Sequence, residues 1–253
     1  QSATLYIAAK NFNTLDRLFF IKKYIQPLTQ QLQAFQRANK IPFLGENTVL
    51  FRALNLKSKT IYDADFLNPK FYAQDRYYAD NELLAQIGKK LFFDKRLSID
   101  NKLSCATCHQ PTNALTDKEA TAITNVDGMF QKRNTPTLLN AALQMGYFYD
   151  ISALSLEAQI GHVMTNQQEF NCNYDTVLNR LKNDPQYVRL FELAFPNDKN
   201  DAISTYTVNT CIADFQRKLI LLNSPFDKYM RGETAVLDES TKRGFNLFMG
   251  KAQ

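Results

Sequence analysis

Apolar residues at Leu15, Leu18, Ile21, Ile25, Leu28, Leu32 and Phe35 alternate three- and four-residue steps, which predicts an amphipathic helix over residues 14–39. Thr14 is a fair N-cap, with Arg17 standing where a capping-box glutamate would complete the pair. Pro27 should bend or interrupt this helix near its middle. The stripe reads as core packing and not as a cofactor box. A weaker helical stretch follows over residues 47–56, then polar and aromatic residues to 78 with a turn signal at Asn68-Pro69. From Asn81 the pattern changes to a helix over Glu82 to Phe92, then a polar loop through Asp94, Lys95 and Arg96. A long connection containing Pro111, Asp117, Asp127 and Gly128 follows, and such loops are more often functional than accidental. Helices are expected from Thr137 to Met145, from Ser155 through Leu156, Ile160 and Val163, and over 174–181, 185–194 and 204–222. Strand-type alternation is scarce, so the expected class is all-α.

A short echo runs through this pattern. Gly88, Leu91 and Phe92 form a Gly-x-x-Leu-Phe sequence that Gly244, Leu247 and Phe248 repeat. The repeat is weak alone, yet it suggests the front part of a two-part protein. A chain of 253 residues holds one large domain or two ordinary ones, and 45% hydrophobic with 22% charged residues is a globular composition. No apolar run approaches the ~18 residues of a membrane span. The net charge of +5 is spread without blocks, so nothing points to nucleic acid. It would help an acidic electron-donor protein dock, although a solvated surface explains it equally simply.

The densest chemistry lies between Ser104 and His109. Cys105, Ala106, Thr107, Cys108 and His109 form a Cys-x-x-Cys-His motif, the spacing of c-type haem attachment. Two thiols three positions apart can each add to one vinyl group, and the adjacent imidazole ligates the iron. A zinc site would need further ligands, and Cys172, Cys211 and His162 stand at no ligand-like spacing. A redox dithiol would need a βαβ setting that the flanking residues do not suggest. Cys172 and Cys211 are either a pair or two buried thiols. Covalent haem implies maturation outside the cytoplasm. Gln1 to Lys10 lack a signal-peptide pattern, so an export segment is expected before them.

The ordered motifs resemble those of the bacterial di-haem cytochrome c peroxidase family, with its related methylamine-utilisation enzymes. Gly88-Lys-Lys-Leu-Phe-Phe-Asp94-Lys-Arg96-Leu-Ser98 is similar to the segment leading to that family's first haem. Ser104 to His109 resembles its attachment site, and Arg133-Asn134-Thr-Pro136-Thr137-Leu-Leu-Asn140-Ala141 the segment after the first-haem loop. Phe148-Tyr149-Asp150 stands where the family usually has Phe-Trp-Asp. Leu156-Glu157-Ala-Gln159 followed by Glu169 matches its distal glutamine and glutamate.

The resemblance covers about residues 80–253. It implies a cytochrome c-like haem domain over 79–223, preceded by a helical extension over 1–78 and followed by the start of a second haem domain over 224–253. Haem c is held by Cys105, Cys108 and His109, and a second haem is expected beyond Gln253. His109 is the proximal iron ligand, Glu169 the acid/base and Gln159 its positioning partner. Asn134 matches a calcium ligand whose companions would lie in the second half. The implied activity is periplasmic reduction of hydrogen peroxide with electrons from a small cytochrome c or copper protein, and a homodimer is compatible with it. A solvent-facing Glu169 and an ordinary surface Gln159 are the plain alternatives.

Three departures qualify the resemblance. The stretch Thr124 to Lys132, where many members carry a distal histidine that blocks the first haem, holds Asn125, Val126 and Asp127 but no histidine. His162, three residues after Gln159, is a replacement ligand, a distal polar group or an ordinary helix histidine. Tyr149 is an electron relay in place of tryptophan or a packing aromatic. The N-terminal extension has no counterpart in the family core. Two other functions compete: a methylamine-utilisation-type oxidase of a protein substrate, and an electron-transfer cytochrome c with Met129, Met145 or Met164 as sixth ligand.

Overall fold

Short polar side chains start most of the helices, because an Asn, Asp or Ser oxygen can accept from the otherwise unpaired N–H groups of the first turn. A computed structural model describes residues 2–44, 52–73, 81–198 and 201–252. They form two units, one of residues 1–67 with 222–253 and one of residues 68–221. The architecture is all-α. Among the described residues, extended pairing is confined to isolated antiparallel bridges such as Gln110–Thr116 and Tyr147–Ala153.

The first unit begins with α1 (Ser2–Ala8) and α2 (Arg17–Phe20). A π-helical turn over Ile21–Ile25 then leads into α3 (Gln26–Ala38). Asp16, not Thr14, is the N-cap, accepting from Phe19 N at 2.9 Å. Thr14 is held outside the helix because Asn11 Oδ1 accepts from the backbone of Asn13 and Thr14, a local turn that competes with helix. Pro27 sits in the first turn of α3. The wider π turn before it absorbs the missing N–H and the ring clash, so the helix continues.

The stripe is not core packing along its length. Leu18 is buried with Met230 and Leu237, but Ile25, Leu28, Leu32 and Phe35 are 41%, 52%, 60% and 62% exposed. Helical period shows that one face is apolar and does not show how much surface exists to cover it. The helix expected over 47–56 falls partly outside the described residues, and residues 52–56 are not helical.

The second unit contains α4 (Glu82–Phe92), α5 (Cys105–Cys108), α6 (Leu156–Thr165), α7 (Tyr174–Lys182), α8 (Pro185–Ala194) and α9 (Thr205–Arg217). Asn81 caps α4 by accepting from Leu83 and Leu84 N, and Leu84, Ile87 and Leu91 enter the core. Helix α9 is the central wall, with α4 and α6 both packed on it. The helix expected over Thr137–Met145 is reduced to a 3₁₀ turn at Ala141–Leu143. Asn140 adopts a left-handed conformation (φ 61°), donates to Leu219 O and accepts from Leu221 N. The same bonds take the chain out of helix after Arg217, short of the expected 222.

The chain then returns to the first unit through α10 (Pro225–Arg231) and α11 (Glu239–Phe248). The two copies of Gly-x-x-Leu-Phe lie on α4 and α11 in different surroundings. Leu91 and Phe92 are fully buried, whereas Leu247 and Phe248 are 56% and 68% exposed. A Cβ on Gly88 would overlap the Cys211 carbonyl oxygen, whereas one on Gly244 would meet nothing within 4 Å. Gly88→Ala should therefore destabilise the chain by at least about 1–3 kcal/mol through overpacking. Gly244→Ala should be neutral or stabilise by up to about 1 kcal/mol through helix propensity. Urea unfolding of the two variants checks both signs.

Candidate haem site

Ser104 and Thr107 close a reciprocal cap around α5, with Ser104 N donating to Thr107 Oγ1 at 2.9 Å. This single turn puts the free thiols of Cys105 and Cys108 on one helical face, and His109 N donates back to Cys105 O at 2.9 Å. Cys105 touches two apolar clusters, one of them built on Phe92, Leu115 and Leu138. Burial pushes the Cys105 thiol up to about 12 and the Cys108 thiol up to about 11, the latter aided by the nearby carboxylates of Asp117 and Glu169. Both are neutral thiols at pH 7, unlike the thiolate of a reactive dithiol. Among the described residues, no group of three or more His, Cys, Asp or Glu could hold a metal ion.

The His109 imidazole is oriented by the loop that follows it. Its Nδ1 lies 3.1 Å from Leu115 O, so Nδ1 carries the proton and Nε2 keeps its lone pair. Burial holds the ring below the ordinary imidazole value, partly opposed by the Leu115 and Pro136 carbonyls, and it is neutral as a ligand must be. Ala114 and Leu115 are both left-handed (φ 52° and 59°), an uncommon conformation for residues with a Cβ. Leu115 N donates to Gln110 O, and Thr135 Oγ1 donates to Asp117 at 2.6 Å, which pins the loop at two points.

On α6, Ser155 caps the helix through Ala158 N, and Gln159 is half-buried. Beyond α6 the chain folds back in a tight turn, with Glu169 N and Asn171 N both donating to Asn166 O. Glu169 is half-buried there, and its carboxyl is held above the usual value by burial, less the effect of an Asn166 hydrogen bond. Glu169 is brought to Cys108, whose thiol senses its charge. No hydrogen bond joins Gln159 to Glu169 among the described residues. Asn134 is exposed on an irregular segment.

Several open readings are resolved. Cys172 and Cys211 are unpaired and buried. His162 is exposed, with its ring 5.5 Å from that of Phe148. Tyr149 is 94% exposed, so it packs in no core of the described residues. It caps a hairpin closed by the Tyr147–Ala153 bridge and bent by left-handed Phe148 and Ile151. Met164 belongs to the main core, while Met129 and Met145 are exposed.

Sequence reasoning missed two features. Arg217 of α9 donates to Glu157 of α6 at 2.6 Å, with both side chains buried and Asp214 at 3.9 Å. Nothing local marked Glu157 for burial, since burial depends on the helix opposite. The second is Asn125 Oδ1, a buried oxygen with no hydrogen-bond partner.

A cytochrome c-like helical fold with a histidine-bearing Cys-x-x-Cys-His turn defines the class. The model of the di-haem cytochrome c peroxidase family matches residues 82–235, and the chain belongs to that family. It is 40% identical over 167 residues to the methylamine utilization protein MauG of Methylorubrum extorquens, covering 66% of this chain and 46% of that protein. It is 35% identical over 171 residues to the cytochrome c551 peroxidase of Pseudomonas aeruginosa, covering 67% and 48%. Among solved structures, a MauG-like protein associated with microbial copper homeostasis superposes with a TM-score of 0.65 at 30% identity, covering 70% of this chain and 52% of that one. The chain thus spans about half the length of the relatives it matches.

Arg217→Ala should cost about 3–5 kcal/mol, because it leaves Glu157 buried without its cation. A lowered urea midpoint with unchanged slope would show this.

Proposed function

We propose that this chain is the peroxide-reducing part of a periplasmic di-haem peroxidase, taking electrons from a small cytochrome c or copper protein. The observation that supports it best is Glu169, a half-buried carboxyl of raised pKa on the Cys108 side of the attachment turn. The residues present fit haem c: two free neutral thiols one helical turn apart, an imidazole with only Nε2 available, and an apolar wall of Phe92, Leu115 and Leu138. Bound there, haem c supplies an iron centre that exchanges electrons with peroxide.

Cys105 and Cys108 would anchor the group and His109 Nε2 would ligate its iron. Glu169, as carboxylate, takes a proton from one peroxide oxygen and returns it to the other as that oxygen leaves. Two electrons from the donor and two protons from solvent complete the conversion of one peroxide to two waters. Gln159 orients the substrate beside the carboxylate. Asn134 would hold calcium only with ligands from a second half. Residues 224–253 are read as the start of a second haem domain, consistent with the exposed Gly-x-x-Leu-Phe face of α11.

A second reading is an oxidase of a protein substrate, favoured by the similarity to MauG. An electron carrier is disfavoured by where the structure puts its methionines, with Met164 in the core and Met129 and Met145 exposed.

Haem-loaded protein should oxidise a reduced cytochrome with peroxide, and Glu169→Gln should lower kcat by about 10²–10⁴-fold with haem retained. The base form of Glu169 is required. Activity should therefore fall as pH drops through a value above the ordinary 4.5, a limb absent from Glu169→Gln. With no histidine between Thr124 and Lys132, the oxidised protein should show a high-spin first haem by EPR. A bis-histidine low-spin signal would rule out the open site.

A further inference from the structure

We propose that Arg180 is a positioning residue of the peroxide reaction, clamping the loop that fixes the Glu169 turn relative to the haem attachment turn. The inference deepens the peroxidase reading and rests on it. Arg180 lies on α7, outside the motifs read from the sequence, and its guanidinium is aimed at the main chain. Nη1 donates to Arg96 O at 2.8 Å and to Ser98 O at 2.7 Å, and Nη2 donates to Ile99 O at 2.8 Å. Three carbonyl dipoles that converge on one point repel one another, so the loop holds this form only with a cation at their focus. Ser98 is fully buried, which keeps solvent from replacing the donor to its oxygen.

The clamped loop reaches in two directions. Ser98 Oγ accepts from Leu103 N at 3.1 Å, two residues before Cys105. Ile99 N donates to Phe170 O at 3.0 Å, and Phe170 directly follows Glu169. Phe170 is itself buried in the main core, so this bond ties the loop to a fixed point of the Glu169 turn. One loop therefore holds both the chain entering the attachment turn and the turn that carries the acid/base, and Arg180 holds the loop.

Proton transfer needs a heavy-atom separation of about 2.6–3.2 Å. A misplacement of about 1 Å can cost on the order of 10²-fold in rate. A side chain that never touches peroxide can thus set kcat through the position of Glu169. Lysine is a poor substitute, because an ammonium is a point donor and lacks the rigid planar fork that serves several carbonyls at once.

The test uses haem-loaded protein carrying Arg180→Ala or Arg180→Lys, each alone and combined with Glu169→Gln. Arg180→Ala should lower kcat by about 10–100-fold while KM for peroxide changes less than about twofold, and Arg180→Lys should fall between it and the unsubstituted protein. Combined with Glu169→Gln, the same substitutions should change kcat less than about twofold further, since a carboxyl already removed has no position to lose. A merely structural role would lower kcat by the same factor in both backgrounds. In Arg180→Ala the Ile99 amide should exchange its hydrogen at least about tenfold faster, while the Val208 and Ile212 amides of α9 keep their protection and confirm the fold. Should Arg180→Ala not fold, Arg180→Lys carries the same comparisons. Unchanged kcat, equal losses in the two backgrounds or unchanged Ile99 exchange would overturn the assignment and leave the peroxidase reading intact. If the unsubstituted protein turned over no peroxide, that reading and this role would fall together.

Discussion

Helix α4 crosses α9 so closely that the Cys211 carbonyl occupies the space where residue 88 would carry a Cβ. The candidate site hangs on this crossing. The end of α4 leads through Asp94 and Leu97 to the thiols, while α6, also seated on α9, leads to Glu169. Two segments far apart in sequence thus take their positions from one helix. The buried pair of Arg217 and Glu157 is a second tie between α6 and α9. A buried ion pair returns little net stability against apolar packing, but its geometry permits few alternative registers.

Around His109 the controlling forces are local. A four-residue helical turn is too short to be stable alone, and the reciprocal cap between Ser104 and Thr107 supplies what its length cannot. The left-handed backbone at Ala114 and Leu115 carries strain that the surrounding hydrogen bonds sustain, and it aims a carbonyl at the imidazole. A neutral carbonyl partner fixes the ring tautomer while making the imidazole less basic than a carboxylate partner would. Burial holds the Glu169 carboxyl above the usual carboxylate value, against the opposing effect of an Asn166 hydrogen bond.

Much of this was legible in the sequence. The helices expected over Glu82 to Phe92, from Ser155, and over 174–181 and 185–194 stand within a residue or two of α4, α6, α7 and α8, because helix signals act locally. The cysteine and histidine spacing likewise named its cofactor without reference to fold. Where local signals misled, tertiary bonds had intervened. Asn140 exchanged helix for hydrogen bonds to Leu219 and Leu221, and Asn11 drew Thr14 out of its cap. The stripe on α3 predicted a buried face but could not supply its partner.

The sequence by itself determined an all-α chain, a Cys-x-x-Cys-His turn and the order of motifs that places the chain in its family. These follow from period, composition and spacing, which any short segment carries within itself. Only the tertiary structure decided that Glu169 lies by Cys108, that Glu157 is a buried partner of Arg217, that Tyr149 stands exposed, and that the Asn125 oxygen is left without a donor. Each depends on what a distant segment brings to the same point. Burial, pairing and orphaned acceptors are properties of that meeting, not of the residues taken singly.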